Sequence, residues 1–203
     1  MGSGNPGTMN VTRELGVKAG AATFVGDALK GVVPMLICFF LYRNCYFEYK
    51  GTTVLVCDFI RYFTAVFVVF GHILPLSTRY KGGKGIASTL GIFWCGLSLE
   101  SPWWILLGLV AGACIITFII LTEWGSMGSL FGVSGCSIIQ LVIFFTRYEA
   151  VMKLGVNPYL VCLFVFIFML DILTWIAHRK NLRRLFAGEE HRTSFKKALH
   201  KKA

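Results

Sequence analysis

Charged residues are scarce in this chain. Lys, Arg, Asp and Glu together make up 15% of its 203 residues, against 56% hydrophobic residues, whereas a soluble domain carries roughly a quarter charged residues. This scarcity excludes an ordinary soluble domain and indicates an integral membrane protein. A helix needs about 20 residues to cross a hydrocarbon core of ~30 Å, so the chain has room for about six or seven spans in one compact bundle.

Metal-binding and nucleotide-binding patterns are missing as well. The seven cysteines are scattered, mostly in apolar runs, without a C-x-x-C pair or a neighbouring histidine cluster. Neither a structural zinc nor a disulfide framework is therefore expected, and no metal or cofactor is predicted. The G-x-x-x-x-G-K-S/T spacing of a P-loop is also missing, so nucleotide hydrolysis is not supported.

Six apolar stretches account for most of the sequence. They predict an all-α, polytopic transmembrane bundle of about six helices, which forms a single domain over residues 1–203 with a basic C-terminal segment at 179–203. The third and fifth stretches are short for a full span. The six stretches are residues 19–42, 54–76, 85–99, 102–121, 130–145 and 158–177.

Basic residues are unevenly divided between the two sides of this bundle. If all six helices cross, one side carries 14 Lys and Arg residues, nine of them in the C-terminal segment, against 4 on the other side. By the positive-inside rule the richer side is cytoplasmic. The net charge of +10 beside membrane spans favours anionic lipid head groups and phosphorylated substrates as partners rather than nucleic acid.

Three charged residues within the predicted helices need an explanation. A charged side chain at the centre of a membrane helix costs about 2.5–3.5 kcal/mol of insertion free energy. Asp27 and Lys30 stand three residues apart and can neutralise each other on one helix face. A structural pair is the simpler interpretation, and direct substrate contact is the alternative. Asp171 lies two turns before His178, so it either supports that histidine from behind or is a core carboxylate.

Polar, glycine-rich stretches fall on the predicted cytoplasmic side. The first, residues 2–13, combines three glycines with hydrogen-bond donors from Ser3, Asn5, Asn10 and Arg13. Exposed backbone amides beside such donors are typical of a site for an oxyanion. A flexible start rich in turn formers is the alternative.

The second polar stretch is a glycine and lysine loop that opens the third helix. It reads Gly71-His72-Ile73-Leu74-Pro75, followed by Lys81-Gly82-Gly83-Lys84-Gly85. Backbone amides at a helix N-terminus, together with two lysines, favour a phosphate. A basic loop at the membrane surface is the alternative.

The third polar stretch, residues 178–191, leaves the last apolar run and is predicted to continue as a helix to about residue 188. Arg183 and Arg184 are placed to hold head groups or a substrate phosphate, while apolar residues of the same segment dip into the interface. On local grounds alone, a basic flank of a membrane span is the simpler interpretation.

Together the three stretches closely resemble the PlsY family over about residues 2–191. The patterns are G-S-G-N-P-G-x-x-N, then G-H-x-x-P with K-G-G-K-G, then H-R-x-N-x-x-R-L-x-x-G-x-E. The resemblance implies a bacterial plasma-membrane acyltransferase that uses acyl-phosphate and glycerol-3-phosphate and releases lysophosphatidic acid and phosphate. It implies membrane lipids as surroundings and no cofactor, and a monomer is expected.

The resemblance also implies the residues of the site. His178, Ser3 and Asn181 are carried over as catalytic residues. Substrate contacts are implied for Asn5, Asn10, Arg13, His72, Lys81, Gly82, Gly83, Lys84, Gly85 and Glu189, and for Ser129 in the loop before the fifth helix. Members often add a second serine in that loop, where this chain has Gly132. Members also normally have an apolar helix before the first motif. A longer reading frame that encodes this seventh helix is expected, and a dispensable first helix is the alternative.

These patterns do not identify the group that accepts the proton of the attacking hydroxyl. The H-x-x-x-x-D pair of many acyl-CoA-dependent acyltransferases is missing, because no aspartate stands five residues after His72, His178 or His191. His178, His72 or the phosphate of the substrate remains, and a positioning role is favoured for His178. The alternatives to an enzyme are a transporter or binder of phosphorylated lipid precursors, and a subunit that only scaffolds other proteins.

Overall fold

The computed structural model of this chain describes residues 6–76 and 82–190. Within these ranges the backbone forms nine α-helices and one β-hairpin. In chain order the elements are α1 (Thr8–Leu15), α2 (Val17–Tyr42), β1 (Tyr46–Tyr49), β2 (Thr52–Leu55), α3 (Val56–Ile73), α4 (Ile86–Glu100), α5 (Trp104–Thr122), α6 (Gly125–Arg147), α7 (Glu149–Lys153), α8 (Pro158–Ala177) and α9 (Arg179–Phe186).

The predicted all-α transmembrane bundle is confirmed. Five helices, α2, α3, α5, α6 and α8, are long and apolar enough to cross a membrane. The sixth, α4, has 15 residues and a length of about 22 Å. It is buried along most of its length and packs against α2, α3, α5, α6 and α8. A helix surrounded by protein need not match the thickness of the lipid around it.

Glycines allow α2 and α4 to pack backbone against backbone. A Cβ atom on Gly31 of α2 would lie 2.5 Å from the carbonyl oxygen of Ser88, and one on Gly91 of α4 would lie 2.6 Å from that of Ala28. Small residues permit this close approach in membrane helices, where dispersion contacts replace the hydrophobic effect. The packing brings the N-terminal half of α2 against the first turns of α4.

The hairpin is a departure from the all-helical expectation. Residues 54 and 55, predicted to begin the second helix, belong to β2, which pairs antiparallel with β1. Lys50 and Gly51 form the turn with positive φ angles of 48° and 76°, as the two central residues of a type I′ turn require. Asn157 ties the hairpin to α8, since its side-chain amide donates to Thr52 Oγ1 over 3.0 Å.

Two helix boundaries also differ from the sequence expectation. Residues 8–13, the second half of the predicted glycine-rich stretch 2–13, belong to α1. The glycines of that stretch lie before Thr8, and the residues that follow carry side chains compatible with a helix. The fifth predicted helix begins at Gly125 rather than at residue 130. Ser129 therefore lies inside α6 rather than in a loop.

An ion-pair network joins α3, α4 and α6 at one end of the bundle. Asp58 accepts hydrogen bonds from Arg61 at 2.5 Å, from Arg147 at 2.9 Å and from the Tyr148 hydroxyl at 2.6 Å. Glu100 pairs with the same two arginines. Asp58 and Arg61 were not identified from the sequence as charged residues within a membrane helix. Mutual pairing is what makes these charges tolerable in a membrane helix.

Candidate active site

Four chain segments meet at the other end of the bundle, which we call the motif end. They are α1, the loop 82–85 that leads into α4, the first turn of α6, and the junction between α8 and α9. The alternating direction of the helices places the ion-pair network of Asp58 at the opposite end. All three polar motifs are thereby represented at one end of the molecule.

The glycine loop, residues 82–85, packs against the C-terminal end of α3. The Gly83 amide donates to the His72 carbonyl oxygen over 3.1 Å, and a Cβ on Gly82 would lie 2.4 Å from Pro75 Cδ. Gly85 adopts a left-handed conformation, with φ of 78°, immediately before the first residue of α4. The loop therefore requires glycine for close approach at one point and for backbone conformation at another.

Lys84 lies between these glycines and belongs to a cluster of cations. Burial lowers the pKa of Lys84 to about 8; the carboxylate of Glu190 opposes this shift, and the positive charges of Arg184 and Arg13 add to it. Burial likewise lowers the pKa of Arg13 on α1, with Glu190 again opposing and Arg184 adding. Three cations from three segments thus lie close enough to influence one another, as a site for a multiply charged anion requires.

Glu190 is the carboxylate at the centre of this cluster. Its Oε1 accepts from the Ser126 hydroxyl at 2.5 Å and from the Asn181 amide at 3.1 Å, and its Oε2 lies 3.5 Å from Arg184 Nε. The side chain is 5% exposed. Asn181 also lies 2.5 Å from Ser126 Oγ, so the start of α6 and the segment after α8 are joined through one hydrogen-bonded group.

His178 occupies the break between α8 and α9 and is 2% exposed. Its Nδ1 lies 2.8 Å from the Thr174 carbonyl oxygen, and since a carbonyl only accepts, Nδ1 carries the proton. Burial and the charge of Lys84 lower the pKa of His178 to about 4. The imidazole is therefore neutral at physiological pH, with the Nε2 lone pair as its hydrogen-bond acceptor.

Asp171 does not support His178 from behind. Its carboxylate accepts a hydrogen bond from Ser134 Oγ on α6 over 3.0 Å, and the indole of Trp175 donates to the same hydroxyl. Asp171 is therefore a carboxylate hydrogen-bonded between α6 and α8. The other predicted pair is present, because Lys30 Nζ lies 2.7 Å from Asp27 Oδ1.

Some of the predicted site residues are brought together and others are not. Arg13, Lys84, His178 and Asn181 meet around Glu190, and His72 lies beneath the glycine loop. Asn10 lies on α1, one turn before Arg13. Ser3, Asn5 and Lys81 lie outside the described residues.

Two residues predicted to contact substrate, Glu189 and Ser129, do not face the cluster around Glu190. Glu189 is exposed, whereas the carboxylate of Glu190 lies among the cations. The pattern G-x-E places its glutamate two residues after Gly188, at Glu190, so the prediction of Glu189 was one residue too early in the chain. Ser129 donates to the Gly125 carbonyl oxygen of its own helix. Ser126, almost one turn earlier, faces Asn181 instead, and helical periodicity becomes a guide only once the start of α6 is known.

Metal ligands are not gathered at this site. Among residues 6–76 and 82–190, no group of three or more His, Cys, Asp or Glu side chains is arranged to hold a metal ion.

Known proteins resemble this chain over nearly its whole length. The sequence model of the family described as glycerol-3-phosphate acyltransferase matches residues 1–188. A glycerol-3-phosphate acyltransferase of Thermoanaerobacter sp. (strain X514) is 35% identical over 189 residues, covering 93% of this chain and 78% of that protein. One of Clostridioides difficile (strain 630) is 33% identical over 196 residues, covering 97% and 81%.

Solved structures agree with these sequence matches. The crystal structure of PlsY (YgiH), an integral membrane glycerol 3-phosphate acyltransferase, in its glycerol 3-phosphate form is 28% identical, with a TM-score of 0.68 and coverage of 98% of this chain and 82% of that one. Its lysophosphatidic acid form gives a TM-score of 0.67, with 98% and 84% covered. This chain therefore belongs to the glycerol-3-phosphate acyltransferase family, as a multi-pass membrane acyltransferase.

Proposed function

We propose that this protein transfers an acyl group from acyl-phosphate to glycerol-3-phosphate, giving lysophosphatidic acid and inorganic phosphate. The observation that carries the proposal is the convergence of Arg13, Lys84 and Arg184 beside His178 and Asn181. Both proposed substrates carry a phosphate, and a site with three neighbouring cations matches that shared chemistry. The related PlsY structures, named for their glycerol 3-phosphate and lysophosphatidic acid forms, support the same acceptor and product.

The proposed reaction needs little covalent chemistry from the protein. A hydroxyl oxygen of glycerol-3-phosphate attacks the acyl carbon of the mixed anhydride, a new ester C–O bond forms, and the C–O bond to phosphate breaks. The cations stabilise the negative charge of the departing phosphate, and the site holds the two reactants side by side. An acyl-enzyme intermediate is not required, because phosphate is already a good leaving group.

The departing phosphate is the better acceptor for the hydroxyl proton. A phosphate monoanion has a pKa of about 6, whereas the pKa of His178 is lowered to about 4, so the imidazole is the weaker base. His178 can still accept a hydrogen bond through Nε2 and orient the hydroxyl for attack. We therefore assign His178 and Asn181 to positioning, and Arg13 and Lys84 to binding phosphate.

The membrane supplies the remaining elements of the proposal. The acyl chain of the donor lies along apolar helices, with its reactive carbonyl at the motif end. The distribution of Lys and Arg supports a cytoplasmic position for that end in a bacterial plasma membrane. α9 carries Arg179, Lys180 and Arg183 beside an exposed Phe186, which suits an anionic membrane surface.

The test is a two-substrate assay on the purified protein in detergent. We expect lysophosphatidic acid and inorganic phosphate to form in equal amounts, and only when acyl-phosphate and glycerol-3-phosphate are both supplied. Hydrolysis of acyl-phosphate that does not depend on glycerol-3-phosphate would contradict the acceptor. Binding of both compounds without turnover would favour a non-catalytic binder of phosphorylated lipid precursors.

A further inference from the structure

We propose that Asp27 is a positioning residue for the phosphate site, acting through the imidazole of His72 on the glycine loop 82–85. Asp27 lies in α2, outside the three motifs, and touches none of the cations around Glu190 in the described contacts. The proposal rests on the proposed function, because it assigns Asp27 to the binding of glycerol-3-phosphate.

Asp27 and Ser88 define the orientation of the His72 ring. The Ser88 hydroxyl donates to the Asp27 carbonyl oxygen over 2.8 Å, so its hydrogen is already used. His72 Nδ1 lies 3.5 Å from Ser88 Oγ and 3.7 Å from Asp27 Oδ1. Both oxygens face Nδ1 as acceptors, so Nδ1 carries a proton.

The opposite edge of the ring supports the loop. A Cβ on Gly83 would lie 2.1 Å from His72 Nε2, which means that the ring fills the space in which a side chain would stand. The main chain of the loop meets the same residue, because the Gly83 amide donates to the His72 carbonyl oxygen over 3.1 Å. A rotation of the ring toward the loop therefore has to displace Gly83.

The contact between Asp27 and His72 is largely shielded from solvent. The side chains of Asp27 and His72 are 9% and 10% exposed, so bulk water does not readily replace either partner. Lys30 is 61% exposed and lies 2.7 Å from the same carboxylate oxygen. Lys30 thus offsets the charge of Asp27 from the surface, while His72 contacts the carboxylate from within the bundle.

Displacement of Gly83 affects the site through the next residue. Lys84 follows directly, and Gly85 fixes the chain on its other side at the start of α4, so Lys84 has little freedom to compensate. A disturbed loop should weaken the binding of phosphate by Lys84 and by the loop amides. Arg13, Arg184, His178 and Asn181 are held by other segments and still serve the chemical step, so the effect should fall on KM for glycerol-3-phosphate more than on kcat.

The experiment measures KM for glycerol-3-phosphate at saturating acyl-phosphate in purified variants of the full chain. We expect Asp27→Asn and His72→Leu each to raise KM about fivefold or more with kcat within about twofold, and the double variant to be no worse than His72→Leu alone. His72→Asn, whose amide can place a donor where Nδ1 lies, should retain more affinity than His72→Leu. Effects that multiply in the double variant, or a fall in kcat at unchanged KM, would overturn the proposal.

Two matched controls separate this role from a general loss of structure. Lys30→Gln keeps the contact between Asp27 and His72 and should leave KM within about twofold; an increase as large as that of Asp27→Asn would assign the effect to the pair with Lys30 and overturn the proposal. Asp171→Asn removes a half-buried carboxylate that is hydrogen-bonded to Ser134 of α6 and should also leave KM unchanged. If Asp27→Asn fails to fold, equal KM values for His72→Asn and His72→Leu would overturn the proposal.

Calorimetric titration of glycerol-3-phosphate without the donor provides a readout independent of turnover. Weaker binding by Asp27→Asn supports the positioning role even if the wild-type protein makes no lysophosphatidic acid, in which case only the proposed function fails. Binding by Asp27→Asn at the wild-type level would overturn the positioning role while leaving the proposed function intact. Lack of binding by the wild-type protein would remove both.

Discussion

Ser126 and Glu190 stand 64 residues apart in the chain, yet the Ser126 hydroxyl donates to Glu190 Oε1 over 2.5 Å. The contact joins the first turn of α6 to the segment that follows α9. It also fixes one carboxylate between the cations of α1, the glycine loop and α9. Glu190 therefore neutralises part of the charge of these cations and links the segments that meet at the motif end.

The two adjacent glutamates should behave differently on substitution. Glu190→Ala removes a buried acceptor and leaves Arg13, Lys84 and Arg184 to repel one another, so we expect a loss of about 2–4 kcal/mol of stability and of most acyltransferase activity. Glu189→Ala changes an exposed side chain and should stay within about 0.5 kcal/mol of the wild type. Melting temperature in detergent and specific activity measure both; similar behaviour of the two variants would contradict the central position of Glu190.

Lys84 is expected to be indispensable for turnover. Lys84→Ala removes a cation that is held between two fixed glycines, and the formation of lysophosphatidic acid should fall by about 100-fold or more. Lys18→Ala, which alters an exposed lysine at the start of α2, is the matched control and should retain wild-type activity. Wild-type turnover in Lys84→Ala would remove this lysine from the site.

The pH dependence of substrate binding should follow the same lysine. Because the pKa of Lys84 is lowered to about 8, the ligand-free enzyme loses this charge as the pH rises through 8, and KM for glycerol-3-phosphate should increase between pH 7 and pH 9. Lys84→Arg keeps its charge over this range, so its KM should vary less with pH. A wild-type KM that is constant from pH 7 to pH 9 would contradict the lowered pKa.

A rise in pH should weaken substrate binding by Lys84 but increase the stability of the folded protein. Its ordinary pKa is 10.5 and its pKa in the folded protein is about 8, so between these values the unfolded chain binds more protons than the folded one. This group therefore disfavours folding below about pH 8, and the penalty is relieved as the pH rises toward 10.5. The melting temperature of Lys84→Met should exceed that of the wild type at pH 7 by more than it does at pH 9.5.

The ion-pair network at the opposite end should matter for folding rather than for binding. Asp58→Ala removes one of the two carboxylates that pair with Arg61 and Arg147, so Glu100 alone faces both arginines. The substitution should cost about 3–5 kcal/mol, while KM of the remaining folded protein stays near the wild-type value. Glu48→Ala in the exposed strand β1 is the control and should leave the melting temperature unchanged. A large change in KM without a change in melting temperature would contradict this division.

Cys45 offers a test of the proposed orientation. Of the seven cysteines, all within the described residues, Cys38, Cys57, Cys95 and Cys136 are buried, and the exposed Cys114 and Cys162 lie in α5 and α8. Cys45 is exposed beside the hairpin, at the end opposite the motifs. A membrane-impermeant thiol reagent should therefore label intact cells at Cys45, and Cys45→Ser should abolish that labelling. Labelling that requires permeabilised cells would reverse the orientation.

Periodicity and composition were sufficient to predict much of the architecture. The range of α8 was predicted to the residue, because Pro158 marks its start and the apolar run that follows contains only one charged residue, Asp171. The pair of Asp27 and Lys30 also followed from their spacing on one helix face. Strand β2 was missed because its last two residues, Val54 and Leu55, are as apolar as those of the following helix. Hydropathy does not distinguish the end of a short strand from the first turn of a helix.

The candidate site was predictable in residue type and less so in register. The motifs indicated glycines, cations, a histidine and an asparagine at one end of the bundle, and the structure gathers Arg13, Lys84, His178 and Asn181 there. The contact of Ser126 with Glu190 was missed because it joins two segments distant in sequence. Its geometry depends on where α6 begins and on how α9 turns away from α8, and neither is fixed by local spacing.

The sequence by itself determined that the chain crosses a membrane, that its family motifs lie on one side, and that its chemistry concerns phosphate, because hydropathy, charge distribution and short-range motifs are local properties. The tertiary structure alone decided which carboxylate faces the cations, which charges neutralise one another within the bundle, and how Asp27 meets His72. These relationships join helices that are far apart in the chain, and they depend on close packing, such as that of Gly31 and Gly91, which brings particular side chains within a few ångströms of one another.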